Sequence, residues 1–459
     1  MLRGLPAGKA APGLALLALL YFHTALGQGA ADGMQGMDMQ GMDMSPSAPG
    51  TGSMPKAGAG GMSGMAGMRM AGAFGPYSMA REASGTSWQP DATPEMGVRF
   101  NLGPWMLMAH GFVTGIYDSQ GGPRGATKAF SASMGMLMAQ RQLGSGATLG
   151  LRAMVSLDPL MGSNGYPLLF ATGETADGRT PLVDRQHPHD LFMELSASIS
   201  QTLGGGQSVF LYGGLPGEPA LGPPAFMHRE SGMDIPEAPV THHWLDSTHI
   251  TFGVLTAGYI WRDWKIEGSV FRGREPNQLR YDIETPALDS VAARLSYNPG
   301  PHWSLQTSWG YLKSPEQLLP NVNENRITAS GTYSLPFGDR NFWATSFAWG
   351  RKMNSPGRTL DGFLLESELV LHRLNTFFAR AERVDEDELY ELAPTSSLQG
   401  QVFTVGKLSL GYIRDFEVGP QVRLGFGGLV SRYSYPTQLD GAYGSDPTSF
   451  MLFLRLKLG

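Results

Sequence analysis

From Arg99 to the C-terminus the chain runs in segments of about ten residues that alternate apolar with polar side chains. Trp303, Leu305, Thr307, Trp309 and Tyr311 share one face of such a segment, with Ser304, Gln306, Ser308 and Gly310 on the other. A period of two places successive side chains on opposite faces of a strand, and at roughly 3.3 Å per residue this stripe is about 26 Å long. An apolar band of that height with aromatics at both ends matches the lipid-facing girdle of a transmembrane barrel. The last segment repeats the pattern, with Phe450, Leu452, Leu454, Leu456 and Leu458 set against Met451, Phe453, Arg455 and Lys457. A third example sets Ala147, Leu149, Leu151, Ala153, Val155 and Leu157 against Thr148, Arg152, Met154 and Ser156.

The same reading predicts strands near 101–117, 126–141, 146–157, 189–201, 207–215, 248–262, 263–273, 289–299, 302–313, 324–335, 341–352, 360–371, 374–384, 400–415, 418–433 and 447–458. That is about 16 strands, with roughly 14 to 18 compatible with the pattern. Tight connections at 142–146, 203–207, 262–263, 298–301, 336–340, 372–373 and 415–419 alternate with longer polar ones. Short turns at one end and long loops at the other are the signature of an outer-membrane barrel, and an even count puts both chain ends in the periplasm. A soluble sandwich or propeller also has many alternating strands, but it turns charge outward and buries the apolar face. Here the polar face mixes Ser, Gly, Glu, Arg and Lys, including Glu366 with Glu368 and Arg380 with Glu382, as a wet lumen would. The expected fold is therefore all-β, an antiparallel transmembrane barrel over residues 99–459.

Residues 1–27 carry Arg3 and Lys9, an apolar run from Leu14 to Tyr21 and a small-residue exit, which reads as a secretory signal. The run is too short to span a bilayer, and no later apolar run reaches helical-span length. Residues 28–75 are Gly, Ala, Met, Ser and Pro with almost no branched or aromatic side chain, so they read as a disordered arm, followed by a junction at 76–98. With no Cys the chain has neither disulfides nor a lipidated cysteine. A net charge of -6 gives no reason to expect nucleic acid as a partner.

The arm concentrates thioethers. Met34, Met37, Met39, Met42 and Met44 form one cluster, and Met62, Met65, Met68 and Met70 a second. Spacings of two or three let neighbouring sulfurs of a flexible chain close on one ion, and soft thioethers select Cu(I) or Ag(I) over harder divalent metals. Asp38 and Asp43 add carboxylates beside the first cluster. Two blander readings stay open: a low-complexity tether, and a surface that scavenges oxidants through reversible sulfoxide formation.

GMDMQGMDM and GMSGMAGMRM followed by barrel texture resemble the layout of the copper-resistance protein B family, a Met-rich periplasmic arm ahead of an outer-membrane barrel. The resemblance implies a role in copper tolerance, with copper as the bound metal and a periplasmic copper protein as a partner. The arm here has no His, where that family mixes Met with His and Asp, and this barrel is longer. No barrel residue is carried over from the family.

A second candidate set lies in two long loops. One holds His187 and His189 within DRQHPHD, and the other holds His228, Glu230, Asp234, Glu237, His242, His243, Asp246 and His249. Imidazoles with carboxylates suit a divalent metal, but no spacing here is diagnostic of one. The competing reading is that these loops fold into the barrel mouth and their His and Asp bond each other. Met106, Met108 and His110 with Met154 make a third set, read as packing or lipid contact, with a metal path as the alternative. No GxSxG elbow or paired glycosidase carboxylates stand out, so no enzyme is expected. The functional expectation is copper handling through the arm, with a solute-conducting porin as the rival. Outer-membrane lipid, metal ions and the barrel-assembly machinery are the expected partners.

Overall fold

The computed structural model describes residues 71–459. The signal segment and the Met34 to Met70 clusters lie outside the described residues. Among the described residues nineteen strands follow in order: β1 Val98–Leu102, β2 Trp105–Ser119, β3 Thr127–Leu143, β4 Ala147–Val155, β5 Tyr166–Thr175, β6 Pro181–Gln186, β7 Phe192–Gly204, β8 Gln207–Gly214, β9 Val254–Trp261 and β10 Trp264–Phe271. The rest are β11 Ser290–Gly300, β12 Trp303–Leu312, β13 Asn323–Phe337, β14 Asn341–Ser355, β15 Thr359–Leu371, β16 Asn375–Glu386, β17 Phe403–Gly419, β18 Val422–Ser434 and β19 Thr448–Leu458.

Each barrel strand pairs antiparallel with its neighbour, and β19 closes back on β2, with Leu458 opposite Gly111 and Phe450 opposite Ser119. The protein is a closed antiparallel barrel of 16 strands. β1 is extra: it pairs with the foot of β2, Val98 opposite Ala109 and Leu102 opposite Trp105, along the edge that β19 has left. β5 and β6 form a separate hairpin within the β4–β7 connection.

The sixteen predicted strands all exist. The faces also fall as the alternation requires: Trp303, Leu305 and Trp309 are exposed outward, as are Leu452 and Leu454, while Met451, Phe453 and Arg455 are buried inside. Three boundaries move. The first strand, expected from residue 101, begins at Trp105, with Asn101 and Leu102 in β1. The strand expected from residue 248 begins at Val254, because Ser247–His249 forms a helical turn inside the barrel. The turn expected at 415–419 comes after Gly419, where Gln421 takes a positive φ of 61°. Among the long-loop connections, the β14–β15 link is only Pro356 to Arg358.

The larger correction concerns the interior. The alternation predicts that the polar inner face walls a wet lumen, yet Arg294, Arg326, Arg380 and Lys265 on that face are all less than 2% exposed. Protein rather than water surrounds them. Loop 215–253 folds inward, and the β5–β6 hairpin brings Leu168, Leu169 and Phe170 into the same apolar interior. Trp244 of the loop lies against Gly350 and Gly362, which face each other across β14 and β15. A Cβ at Gly350 would stand 2.2 Å from the Trp244 carbonyl oxygen, so two side-chain-free positions make its seat.

Much of 72–93 is buried inside as well, with Ala71, Pro76, Pro94 and Glu95 exposed, which corrects the end of the disordered arm expected at 71–75 and gives the junction a structure. Phe74 packs on Phe210 at 4.9 Å between ring centroids, and Ser200 and Ser208 donate to the carbonyls of Ala73 and Phe74. Arg81 is held by Asp91 at 2.6 Å, and Trp88 lies under the Lys265 ammonium at 4.9 Å. Ala92 N–H donates to Pro301 and Arg81 to the Arg262 carbonyl, both at the short-turn end, so the segment crosses that mouth. Phe74→Ala is expected to cost about 3–5 kcal/mol of this attachment. Protease cutting within 71–97 of the folded protein should rise steeply, and unchanged resistance would show that the ring is not an anchor.

Candidate functional site

The inward loop is clasped by charge. Arg229 donates to Glu366 on β15 and to Asp246 of its own loop, both at 2.7 Å, and Arg380 on β16 reaches the other oxygen of Glu366 at 3.1 Å. Lys407 on β17 holds Glu237 at 2.6 Å. Arg455 on β19 holds Asp234, which Lys457 also meets at 3.2 Å. Strand alternation delivers these basic groups inward, and the loop supplies the acids that meet them. Burying ions is costly unless each is paired and hydrogen-bonded, so the arrangement specifies one loop position rather than a family of them. A cavity of about 60 Å³ remains beside the loop, lined among others by Phe112, Tyr166, His187, His189, Phe226 and Met227. That is room for a few waters.

Five of the six candidate loop histidines come together, and two of them, His187 and His189, line this cavity. Ring centroids stand 5.4 Å apart for His189 and His249, 5.2 Å for His242 and His249, 5.4 Å for His242 and His243, and 5.7 Å for His187 and His243. Each imidazole faces an oxygen: His189 that of Asp158 at 2.8 Å, His242 that of Asp246 at 2.8 Å, His249 the Asp246 carbonyl at 2.8 Å, His243 Glu275 at 3.2 Å and His187 Glu174 at 3.1 Å. Loops folded into the mouth with His and carboxylate side chains paired is the arrangement found. Among the described residues no three His, Asp or Glu side chains converge to hold a metal ion.

Burial sets the protonation of the cluster. It pushes His187 and His249 well below the ordinary imidazole range, helped by Arg280 at His187 and by His242 at His249. Burial also lowers His242, against the pull of Asp246. His243 goes the other way: burial opposes its charge, but the Glu275 carboxylate outweighs that and raises it, while Glu275 itself is drawn down to about 2 against its own burial. Glu174 is raised by burial to about 7 despite Arg280. The Glu275 carboxylate thus favours the charged form of His243, while burial favours the neutral form of His187, His242 and His249.

The sixth candidate, His228, stands elsewhere. Its Nε2 lies 3.3 Å from the Met154 sulfur, and burial, with His110 and Arg152 nearby, lowers it to about 3. His110 Nε2 in turn lies 3.3 Å from the Met136 sulfur, and the two imidazole centroids are 6.1 Å apart. Met108, His110 and Met154 thus pack inside the barrel, the packing side of that reading rather than the lipid-contact one, and Met106 shares the face of Met108 and His110 on β2. Met134, Met136 and Met138 were missed by the sequence reading. The period-two Met of MGMLM in β3 was the signal that could have found them.

No family model matches the chain, and no curated protein does. Among solved structures it is similar to an anion-selective porin from Comamonas acidovorans, at 12% identity over 77% of this chain and 100% of that one, with a TM-score of 0.48. A Salmonella typhi OmpF complex with daunomycin aligns at 10% identity over 79% and 100%, TM-score 0.47. The outer membrane channel DcaP of Acinetobacter baumannii aligns at 11% over 79% and 100%, TM-score 0.42. The fold assignment rests on this chain's own strand pairing and outward apolar belt, which make it an outer-membrane-type barrel.

Proposed function

We propose that the protein is an outer-membrane channel for small solutes, held narrow by the inward loop 215–253 and the segment 71–97, with its short turns and its N-terminal arm in the periplasm. The observation that carries this reading is the clasp of buried Arg229, Glu366 and Asp246, which fixes a loop across the barrel instead of letting it lie outside. A barrel built only as an anchor needs no such loop. Purified protein in planar bilayers should give small, discrete conductance steps that are unchanged when residues 34–70 are deleted. Absence of any conductance across pH and voltage would overturn the channel reading.

A second reading, copper tolerance through Cu(I) or Ag(I) bound by the arm, is favoured by one observation: the Met texture of GMDMQGMDM recurs inside the barrel at Met134, Met136, Met138 and Met154. For this reading the same 34–70 deletion should lower the copper tolerance of cells while the barrel still assembles. Equal tolerance would leave the arm a tether.

A further inference from the structure

We infer that His110, Met136, Met154 and His228 form a binding site for one soft monovalent cation, Cu(I) or Ag(I), inside the barrel. Three of the four donors stand in a single row across adjacent strands. His110 on β2 is opposite Met136 on β3, which is opposite Met154 on β4. His228 reaches the row from the inward loop, so the site exists only when that loop is seated. The two nitrogen-to-sulfur separations are both 3.3 Å. Two donors bound to one ion at bond lengths of roughly 2.0–2.3 Å stand about 3.5 Å apart in a tetrahedral arrangement. Within each pair the nitrogen and sulfur therefore need to move only by tenths of an ångström to share an ion, and the two pairs meet where Met136 lies opposite Met154.

Packing alone does not account for the pair of imidazoles. A thioether is a weak hydrogen-bond acceptor, so a buried ring turned to sulfur is poorly satisfied. The five clustered loop histidines each face an oxygen, and so does His302, which meets the Ser334 carbonyl at 2.8 Å. Met134, Met138, Met193 and Met227 pack around the four donors as further soft, polarisable groups, and the Glu194 carboxylate, opposite Met154 on β7, accepts from the Ser196 and Tyr212 hydroxyls. Four neutral donors in a buried place offset a single positive charge far more easily than a double one, and thioethers prefer soft ions, so Zn²⁺ and harder divalent cations are disfavoured. The nearest cationic side chains are already paired, Lys457 with Asp234 at 3.2 Å and Arg152 with Glu82 at 3.2 Å.

The inference does not depend on conduction, and the test keeps the two apart. Full-length protein in detergent is loaded with Ag(I), which is redox-inert, and titrated against a competing chelator, with X-ray absorption reading the ligands. Residues 34–70 contain no His, so silver on the arm shows sulfur alone and an imidazole signature reports the barrel. The parent is expected to hold one imidazole-ligated ion that His110→Gln/His228→Gln loses, with the stoichiometry lowered by one. Met136→Leu/Met154→Leu, which nearly conserves volume, should weaken that ion at least tenfold. His189→Gln/His249→Gln should keep it. An imidazole signature that survives in the first double variant, or that is missing from the parent, overturns the site whether or not the barrel conducts. Heat-modifiable migration checks that each variant is folded.

Discussion

Arg229→Ala is expected to raise single-channel conductance severalfold while leaving barrel assembly intact. The guanidinium is 1% exposed at the side chain and is the one group joining the loop's Asp246 to the wall's Glu366. Its removal leaves two buried carboxylates short of a partner, although Arg380 still meets Glu366 and His242 still meets Asp246. Breaking a buried pair by deleting one member costs about 3–5 kcal/mol. That cost falls on the seated loop rather than on the strand ladder, whose pairing does not involve Arg229. The loop should lift, and amide hydrogen exchange over 215–253 should quicken with the rise in conductance. Arg351→Ala is the control: its pair with Asp361 is 42% and 21% exposed, and surface pairs contribute about 0–1 kcal/mol. Equal conductance and equal exchange in Arg229→Ala would show that the clasp does not hold the loop.

Acidification should open the same loop, in two stages. His187, His242 and His249 have folded pKa values below the unfolded value of about 6.5, so the unfolded loop binds more protons and their stabilising effect is lost as pH falls from there. Glu174, raised to about 7, works in the opposite sense, because the seated loop takes up its proton first. His243 also opposes, but its gain is complete by about pH 6.5. Between about pH 6.5 and 4.5 the three lowered imidazoles, joined by His228 at about 3, outweigh Glu174, Glu218 at about 8 and Glu230 at about 7 by only about one group. Below about 4.5 Glu174 is protonated in both states, and Glu275, held at about 2, and the lowered Asp246 add losses of their own. Each unopposed group contributes up to about 1.4 kcal/mol per pH unit. Conductance and hydrogen exchange over 215–253 should change little from pH 8 to 6.5, climb below it and climb most steeply under about 4.5. A flat profile down to pH 3 would show that the imidazoles do not control the loop.

The barrel was legible in the sequence because lipid imposes its rule locally. Every second residue of a strand must be apolar wherever it meets hydrocarbon, so Leu452 and Leu454 alternate with Phe453 and Arg455 with no knowledge of the rest of the chain. The short turns were readable for the same reason, since a tight reversal asks for Gly, Pro, Asn or Asp in a window of a few residues. The pairing of loop histidines with carboxylates was also anticipated from their density. Their partners were not all readable: Asp246 lies four residues from His242, but Glu275 reaches His243 from a different loop.

Tertiary structure alone decided what fills the barrel. Strand alternation says that Glu366, Arg380, Lys407 and Arg455 point inward, and it is silent on whether water or a loop meets them there. The answer depends on Arg229, Glu237 and Asp234, which lie from 137 to 221 residues away in sequence. Phe74 and Trp88 stand in stretches too short and too rich in Gly and Ser to show a period, and they are ordered by the distant Phe210, Arg152 and Lys265 as well as by Tyr77, Arg81 and Glu82 of their own segment. His110, Met136, Met154 and His228 each look like packing within their own segment, and only the closure of β2, β3 and β4 beneath the inward loop brings their donor atoms together. Periodicity records the solvent on each face of a strand, because that interaction is with the surroundings. The contents of the lumen are contacts between distant segments, and those are fixed only when the sheet has closed around them.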